Sequence, residues 1–193
     1  MKGPPMPKLR LVIAFLLVAA PSSATTVMPV DFAQMSRESE LIVRGTVVNL
    51  QAQTTSATRR TIETLVTVFV AETIKGTPGT QTVFRVPGGR VGRYRSVMVG
   101  APVFALGDEV IVFLKGQAPA LAMPYGLSQG VYRISRARGS AVVTPAVNTA
   151  AGRVVRGDPS RRPLDPAAFS RQVQTVLAGA TSPANRRAIP RAR

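Results

Sequence analysis

The feature that most constrains the fold of this chain is residues 61–74, a stretch of 14 residues without glycine or proline. Its side chains alternate with a period of two, as in a β-strand, where successive side chains point to opposite faces of the sheet. One face carries Ile62, Thr64, Val66, Val68 and Val70, and the other carries Leu65, Thr67 and Phe69. Because both faces include apolar residues, we predict a long strand inside a curved sheet.

Segments of the same kind recur along the chain, separated by turns that contain glycine and proline. The sequence predicts further strands at residues 40–50, 80–86, 94–99, 110–114, 130–135 and 141–144, with loops at 51–60, 87–93 and 116–124. Gly45, inside the first of these strands, is typical of a bulge or a sharp bend. Strands at this spacing, with little helix between them, indicate an all-β fold: a small antiparallel barrel or sandwich, OB-like in type.

Two short helices are predicted, one before and one after the strands. In residues 29–39, Asp31 is placed as the N-cap, and in residues 164–180 Asp165 is the N-cap and Pro166 the first helical residue. The apolar positions on one side of each helix are Phe32 and Met35 in the first, and Phe169, Val173, Val176 and Leu177 in the second. We expect the second stripe to pack on the β domain.

The N-terminus has the pattern of a secretory signal peptide. Three basic residues precede the apolar segment 11–20, and small residues occupy positions 22–24. Ten apolar residues are about half of the ~20 that a membrane-spanning helix needs, and the chain has no cysteine for a lipid anchor. We therefore predict cleavage after Ala24 and an extracytoplasmic bacterial protein, periplasmic or secreted, without a transmembrane anchor.

The charge is strongly basic and unevenly distributed. The chain has 25 basic and 9 acidic residues, a formal net charge of +16, and all twelve basic residues within 133–193 are arginines. One interpretation is codon usage in a GC-rich genome, which favours arginine, alanine, glycine and proline together. The other is a basic tail that is attracted to anionic surfaces.

The predicted domain organisation follows from these features. It is a signal peptide at 1–24, a β-barrel domain at 25–144, a linker at 145–163, a helix at 164–180 and a disordered basic tail at 181–193.

Cysteine and histidine are both absent, which excludes disulfides, the usual zinc and haem ligands, and Cys- or His-based catalysis. Asp108 and Glu109 are adjacent, so on a strand they point to opposite faces and cannot share a substrate or a metal. Lys75 and Lys115 lack the S-x-x-K spacing of a Ser–Lys dyad. Glu38 and Glu40 lie at a helix-to-strand junction and receive no role. We predict no enzyme activity, no cofactor and no metal site.

The candidate ligand-binding residues are Arg90, Arg93, Tyr94 and Arg95, in and after the glycine-rich loop. Three guanidinium groups and one ring are suited to an anionic chain with stacking groups. The alternative, a solvated loop with outward arginines, is the more common outcome for such a charge run. The glycines themselves lack the spacing of a P-loop or a dinucleotide-binding motif, which favours a hairpin or bulge.

Several motifs resemble a family of uncharacterised exported bacterial proteins. They are, in order, R-G-T-V, V-P-G-G, G-A-P-V-F-A-L-G-D-E-V and G-L-S-Q-G, and the resemblance covers about residues 31–135. It implies a shape and a location but no reaction. A weaker similarity, to the netrin-like OB-type barrels of metalloproteinase inhibitors, rests on Arg44, Gly45, Val47, Ile74, Lys75 and Gly76. Those inhibitors chelate zinc through an N-terminal cysteine, which this chain lacks.

Two functional hypotheses follow. In the first, the chain is a non-catalytic binding module that docks onto a protein or an anionic component of the envelope or extracellular space, aided by its basic tail. In the second, it is a protein-directed regulator, such as a protease inhibitor that uses a rigid loop. Export argues against intracellular nucleic acid as a partner.

Overall fold

The computed structural model describes residues 30–55, 61–116, 120–137, 139–145 and 164–181. The elements are α1 (Phe32–Glu38), β1 (Leu41–Thr54), β2 (Ile62–Lys75), β3 (Gln81–Pro87), β4 (Gly89–Val91), β5 (Tyr94–Ser96), β6 (Glu109–Lys115), β7 (Met123–Pro124), a 3-10 helix (Leu127–Gly130), β8 (Val131–Ala137), β9 (Ser140–Pro145) and α2 (Pro166–Thr181). The predicted signal peptide lies outside the described residues, as do positions 146–163 of the predicted linker and 182–193 of the predicted tail.

One antiparallel sheet holds most of the strands, in the order β3-β2-β1-β6-β8-β9, with β7 paired to β6 beside β8. The amide of Arg85 on β3 donates to the carbonyl of Ala122, next to β7, over 3.0 Å. This bond links the edge strand β3 back towards β6, so the sheet curves into a barrel-like form. The predicted small antiparallel fold with an N-terminal and a C-terminal helix is confirmed.

The middle of the sheet, around β6, is buried on both faces and separates two apolar cores. The core on the helix side consists of Phe32, Met35, Ile42, Ile74, Ile111, Phe113, Tyr132, Ile134, Val143, Phe169 and Val173. The core enclosed by the curved sheet consists of Val43, Val47, Val66, Val68, Phe84, Val86, Val110, Val112, Leu114 and Val131. Strand β6 supplies alternate residues to both, which explains why its sequence is a continuous apolar run.

Both helices begin at the predicted caps. The Asp31 carboxylate accepts from the amide of Gln34 at 2.8 Å, and the Asp165 carboxylate accepts from the amide of Ala168 at 2.9 Å. Each bond satisfies an amide that the first helical turn leaves without a partner. The predicted stripe of α2 packs on the sheet through Phe169 and Val173, with the Phe169 ring 4.6 Å from that of Tyr132.

The bend predicted at Gly45 is confirmed as an irregularity in the pairing of β1 with β2. The register shifts between Arg44 and Gly45, where β1 lies very close to β2. A Cβ atom at Gly45 would lie 2.1 Å from the carbonyl oxygen of Phe69. Only glycine allows this approach of two backbones.

The boundaries of four predicted segments were wrong. Residues 51–54 belong to β1 and not to a loop, because their polar side chains pair across the sheet: Gln53 donates to the Glu63 carboxylate at 2.9 Å. The predicted loop 116–124 contains the short strand β7. The predicted loop 87–93 contains β4, and the strand predicted over 94–99 ends at Ser96, because positions 97–99 pair with no strand of the described part.

Candidate interaction surface

The four candidate ligand-binding residues lie together in the hairpin β4–β5. Its turn begins with Gly92 at φ 56°, a conformation that two-residue hairpin turns reserve for glycine and a few polar residues. Arg90 pairs with Arg95 across the hairpin, and Val91 pairs with Tyr94. Cross-strand partners share a face and neighbours along a strand do not. Arg90 and Arg95 therefore lie on one face of the hairpin, and Tyr94 lies on the other.

Arg93 and Tyr94 form a pair of their own. The Arg93 guanidinium lies 5.1 Å from the centroid of the Tyr94 ring, and its Nη2 donates to the Tyr94 hydroxyl at 2.9 Å. This geometry fixes a cation over an aromatic face. The hairpin thus presents two exposed arginines on one face and an arginine–tyrosine pair on the other, and the four groups do not converge on one groove.

The glycines before the hairpin serve close packing on β2. The amide of Gly88 donates to the carbonyl of Ile62 at 2.9 Å, and the Thr64 hydroxyl donates to the carbonyl of Gly88 at 2.8 Å. A Cβ atom at Gly89, which has φ 139°, would lie 2.5 Å from the Thr64 hydroxyl oxygen. Glycine is needed here to seat the hairpin on the sheet, as the hairpin interpretation of the loop required.

An exposed apolar segment directly follows the hairpin, and sequence reasoning missed it. We call residues 97–106 the apolar loop. Its exposed side chains are Val97 (72% accessible), Met98 (49%), Val99 (71%), Val103 (72%) and Leu106 (66%). Residues 97–99 were predicted as the end of a strand, and a short apolar run alone cannot distinguish a buried strand from an exposed loop.

The apolar loop is fixed to the domain at several points. The carbonyl of Gly100 accepts from the amide of Ser128 at 3.1 Å, and the Phe104 ring packs against Phe84 with the centroids 5.6 Å apart. The Arg133 guanidinium lies 6.0 Å from the Phe104 ring and donates to the carbonyl of Val103. Phe104 is thus directed inwards, while the neighbouring Val103 remains exposed.

A polar cluster ties the end of α1 to β6. The Glu38 carboxylate accepts hydrogen bonds from Lys115 Nζ and the Tyr125 hydroxyl, each at 2.8 Å, and from Nε2 of the Gln34 side chain at 2.9 Å. The bonds from Lys115, Gln34 and Tyr125, in that order, lower the pKa of Glu38 from 4.5 to about 2. Glu38, which received no role from the sequence, is thus the centre of this cluster.

The remaining charged groups considered for chemistry also have structural partners. Lys75 donates to the carbonyls of Ser36 and Arg37 at the end of α1, at 3.1 and 2.6 Å, and burial lowers its pKa. Asp108 pairs with Arg133, and Glu109 pairs with Arg136 at 2.7 Å.

Among the described residues, no group of three or more acidic, histidine or cysteine side chains is arranged to hold a metal ion. No helix in that part of the chain is long and apolar enough to cross a membrane.

Comparison with known proteins finds no matching family model, curated protein or solved structure. The fold and the surface therefore define the class of protein. It is a small antiparallel, barrel-like β domain with two helices, and it exposes an arginine hairpin beside an apolar loop.

Proposed function

We propose that this chain is a non-catalytic interaction protein that docks onto a component of the bacterial envelope or extracellular space. The single observation that carries the proposal is the position of the apolar loop directly after the arginine hairpin. Large exposed apolar patches on soluble domains commonly mark interaction sites. The C-terminal arginines add a longer-range attraction to anionic partners.

The charge of the hairpin supports contact with an anionic partner. The ion pairs of the described residues use Arg44, Arg85, Lys115, Arg133 and Arg136. Arg90, Arg93 and Arg95 are exposed, and none of them forms an ion pair with a carboxylate in the part of the chain that the structure describes. Their charge is therefore available to an incoming ligand, subject to screening over about 8 Å at physiological salt.

A capture experiment on bacterial envelope material tests this docking role. The immobilised chain is compared with Arg90→Gln/Arg95→Gln and with Val97→Ser/Val99→Ser. Arg37→Gln/Arg171→Gln, at exposed positions of α1 and α2, removes the same two charges and is the matched control. We expect both surface variants to retain less material than the parent chain and the control to retain the same amount. If the parent retains nothing, or if all variants retain equal amounts, the proposal is wrong.

Export is tested separately by the N-terminus of the protein isolated from bacterial fractions. Cleavage after Ala24 gives Thr25 as the first residue of an extracytoplasmic form. Recovery of the uncleaved chain from the cytoplasm only would contradict the proposed location.

A protein-directed regulator, such as a protease inhibitor, is the second candidate. The observation that favours it is the rigid attachment of the apolar loop, since a loop held in one conformation loses little entropy when it enters a protein cleft. A panel of secreted proteases, assayed with excess purified chain, tests it. Inhibition that is lost in Val97→Ser/Val99→Ser supports the regulator, and activity unchanged across the panel contradicts it.

A further inference from the structure

We infer that the docking partner is an anionic phospholipid bilayer, with the apolar loop inserted at the boundary between headgroups and acyl chains and the hairpin arginines bound to lipid phosphates. This inference rests on the proposed docking function and specifies its partner. In this inference the folded domain binds peripherally to the membrane surface.

The chemistry of the exposed side chains favours lipid. They are valine, methionine and leucine, and the one aromatic residue of the apolar loop, Phe104, packs inwards on Phe84. Protein–protein interfaces are enriched in aromatic residues as well as in methionine and arginine, and the apolar loop exposes no aromatic side chain. Aliphatic side chains that are about two-thirds accessible project from the surface, which suits insertion into a soft acyl boundary.

The arginines are placed to accompany this insertion. Only Ser96 separates Arg95 from Val97, so the two Cα atoms are at most about 7.6 Å apart. Arg90 lies opposite Arg95 on the same face of the hairpin. Guanidinium groups bind phosphate through two parallel hydrogen bonds, and each basic residue near an anionic leaflet strengthens binding about fivefold.

The attachment of the loop suits insertion into a membrane as well as entry into a protein cleft. The bonds from Ser128 to Gly100 and from Arg133 to Val103 hold the loop backbone before any ligand arrives. The apolar side chains therefore need no large rearrangement to enter a membrane, and little ordering entropy is lost on binding. A second copy of this chain is a poorer occupant, because its own hairpin would bring like charges together.

The absence of tryptophan from the chain allows a direct test. A single Val97→Trp substitution places the only indole in the apolar loop, and Phe69→Trp, on the half-exposed outer face of β2, is the matched control. Each protein is mixed with phosphatidylcholine vesicles with and without phosphatidylglycerol. With the anionic vesicles, we expect the tryptophan emission of Val97→Trp to shift to the blue and to be quenched by lipid-attached quenchers. The emission of Phe69→Trp should show neither change.

Vesicle sedimentation with the full chain separates the contributions of loop, hairpin and tail. We expect Val97→Ser/Val99→Ser to weaken binding at least about tenfold, because apolar side chains no longer enter the acyl boundary. Arg90→Gln/Arg95→Gln should weaken it about 25-fold, by the fivefold effect of each arginine. Arg37→Gln/Arg171→Gln removes the same two charges elsewhere and should bind within about twofold of the parent. A variant with glutamine at Arg186, Arg187, Arg191 and Arg193 measures the tail.

The outcomes distinguish this inference from the proposed function. If vesicle binding is lost only in the tail variant, or if Val97→Trp shows no shift, insertion of the loop is wrong. If the parent binds no vesicles but still captures envelope material through the hairpin and loop, the proposed docking function is retained and the partner is not lipid. Preferential binding to an acidic polypeptide over anionic vesicles would likewise overturn the lipid assignment.

Discussion

The Glu38 carboxylate at the end of α1 accepts a hydrogen bond of 2.8 Å from Lys115 Nζ at the end of β6, across 77 positions of sequence. The same oxygen accepts from the Tyr125 hydroxyl, and the Lys115 ammonium lies 4.8 Å from the centroid of the Tyr125 ring. Three segments that are distant in sequence are thereby joined at one point. This contact secures the helix that covers one of the two cores.

Glu38 predicts acid sensitivity of the fold. Its pKa is about 2 in the folded chain against an ordinary value of 4.5, so its stabilisation is complete above pH 4.5 and is lost as the pH falls towards 2. We expect Glu38→Gln to be less stable than the parent at neutral pH, with the difference shrinking below pH 4.5. Thermal unfolding of both proteins across this range measures it. A difference that is constant with pH would contradict the assigned pairing.

Gly45→Ala is predicted to be strongly destabilising. The added Cβ would lie 2.1 Å from the Phe69 carbonyl oxygen and 2.6 Å from a methyl group of Val68, so the backbones of β1 and β2 must separate. We expect a loss near the upper end of the ~1–3 kcal/mol seen for overpacked cores. Urea unfolding gives the value.

Gly179→Ala in α2 is the control for this substitution, because nothing lies within 4 Å of its added Cβ. Alanine is the better helix former, so this variant should be stabilised by up to about 0.5 kcal/mol. If the two substitutions changed the free energy of unfolding equally, the close approach of β1 and β2 would not explain why glycine is needed at position 45.

Phe169→Ala tests whether α2 is an integral part of the fold. Phe169 is 1% accessible and its ring lies 5.8 Å from that of Phe32 on α1. Removal of a buried phenylalanine costs about 3–5 kcal/mol, whereas Gln174→Ala on the exposed side of α2 should change stability by less than about 0.5 kcal/mol. Unfolding followed by circular dichroism compares the two. A small effect of Phe169→Ala would mean that α2 only rests on the sheet.

These elements show why the sequence predicted the fold better than the surface. The strands and helix caps depend on local patterns, such as the alternation along β2 and the Asp165–Pro166 pair. The polar end of β1 was missed because residues 51–54 gain their order from cross-strand partners and not from apolar periodicity. The role of Glu38 was invisible because Lys115 and Tyr125 lie 77 and 87 positions away.

The apolar loop is a second feature that the sequence did not predict, in this case because its composition suggested burial. Val97, Met98 and Val99 have the composition of a buried strand, and only the absence of a pairing partner among the described residues leaves them exposed. These residues instead follow the hairpin and run beside Gly88, where an added Cβ atom would lie 3.0 Å from the Ser96 carbonyl oxygen and 3.7 Å from the Met98 amide nitrogen. Burial is thus decided by where a segment is placed, which the segment's own composition does not specify.

The exposed valines and the inward ring of the apolar loop should respond to substitution in opposite ways. Val97→Ser/Val99→Ser removes side chains that are 72% and 71% accessible, so the free energy of unfolding should change by less than about 0.5 kcal/mol. Phe104→Ala removes the contacts with Phe84 and Arg133 and should cost about 2 kcal/mol or more. Urea unfolding of the three proteins measures both effects. If the serine variant were the less stable one, the valines would be packing groups, and their exposure could not be assigned to docking.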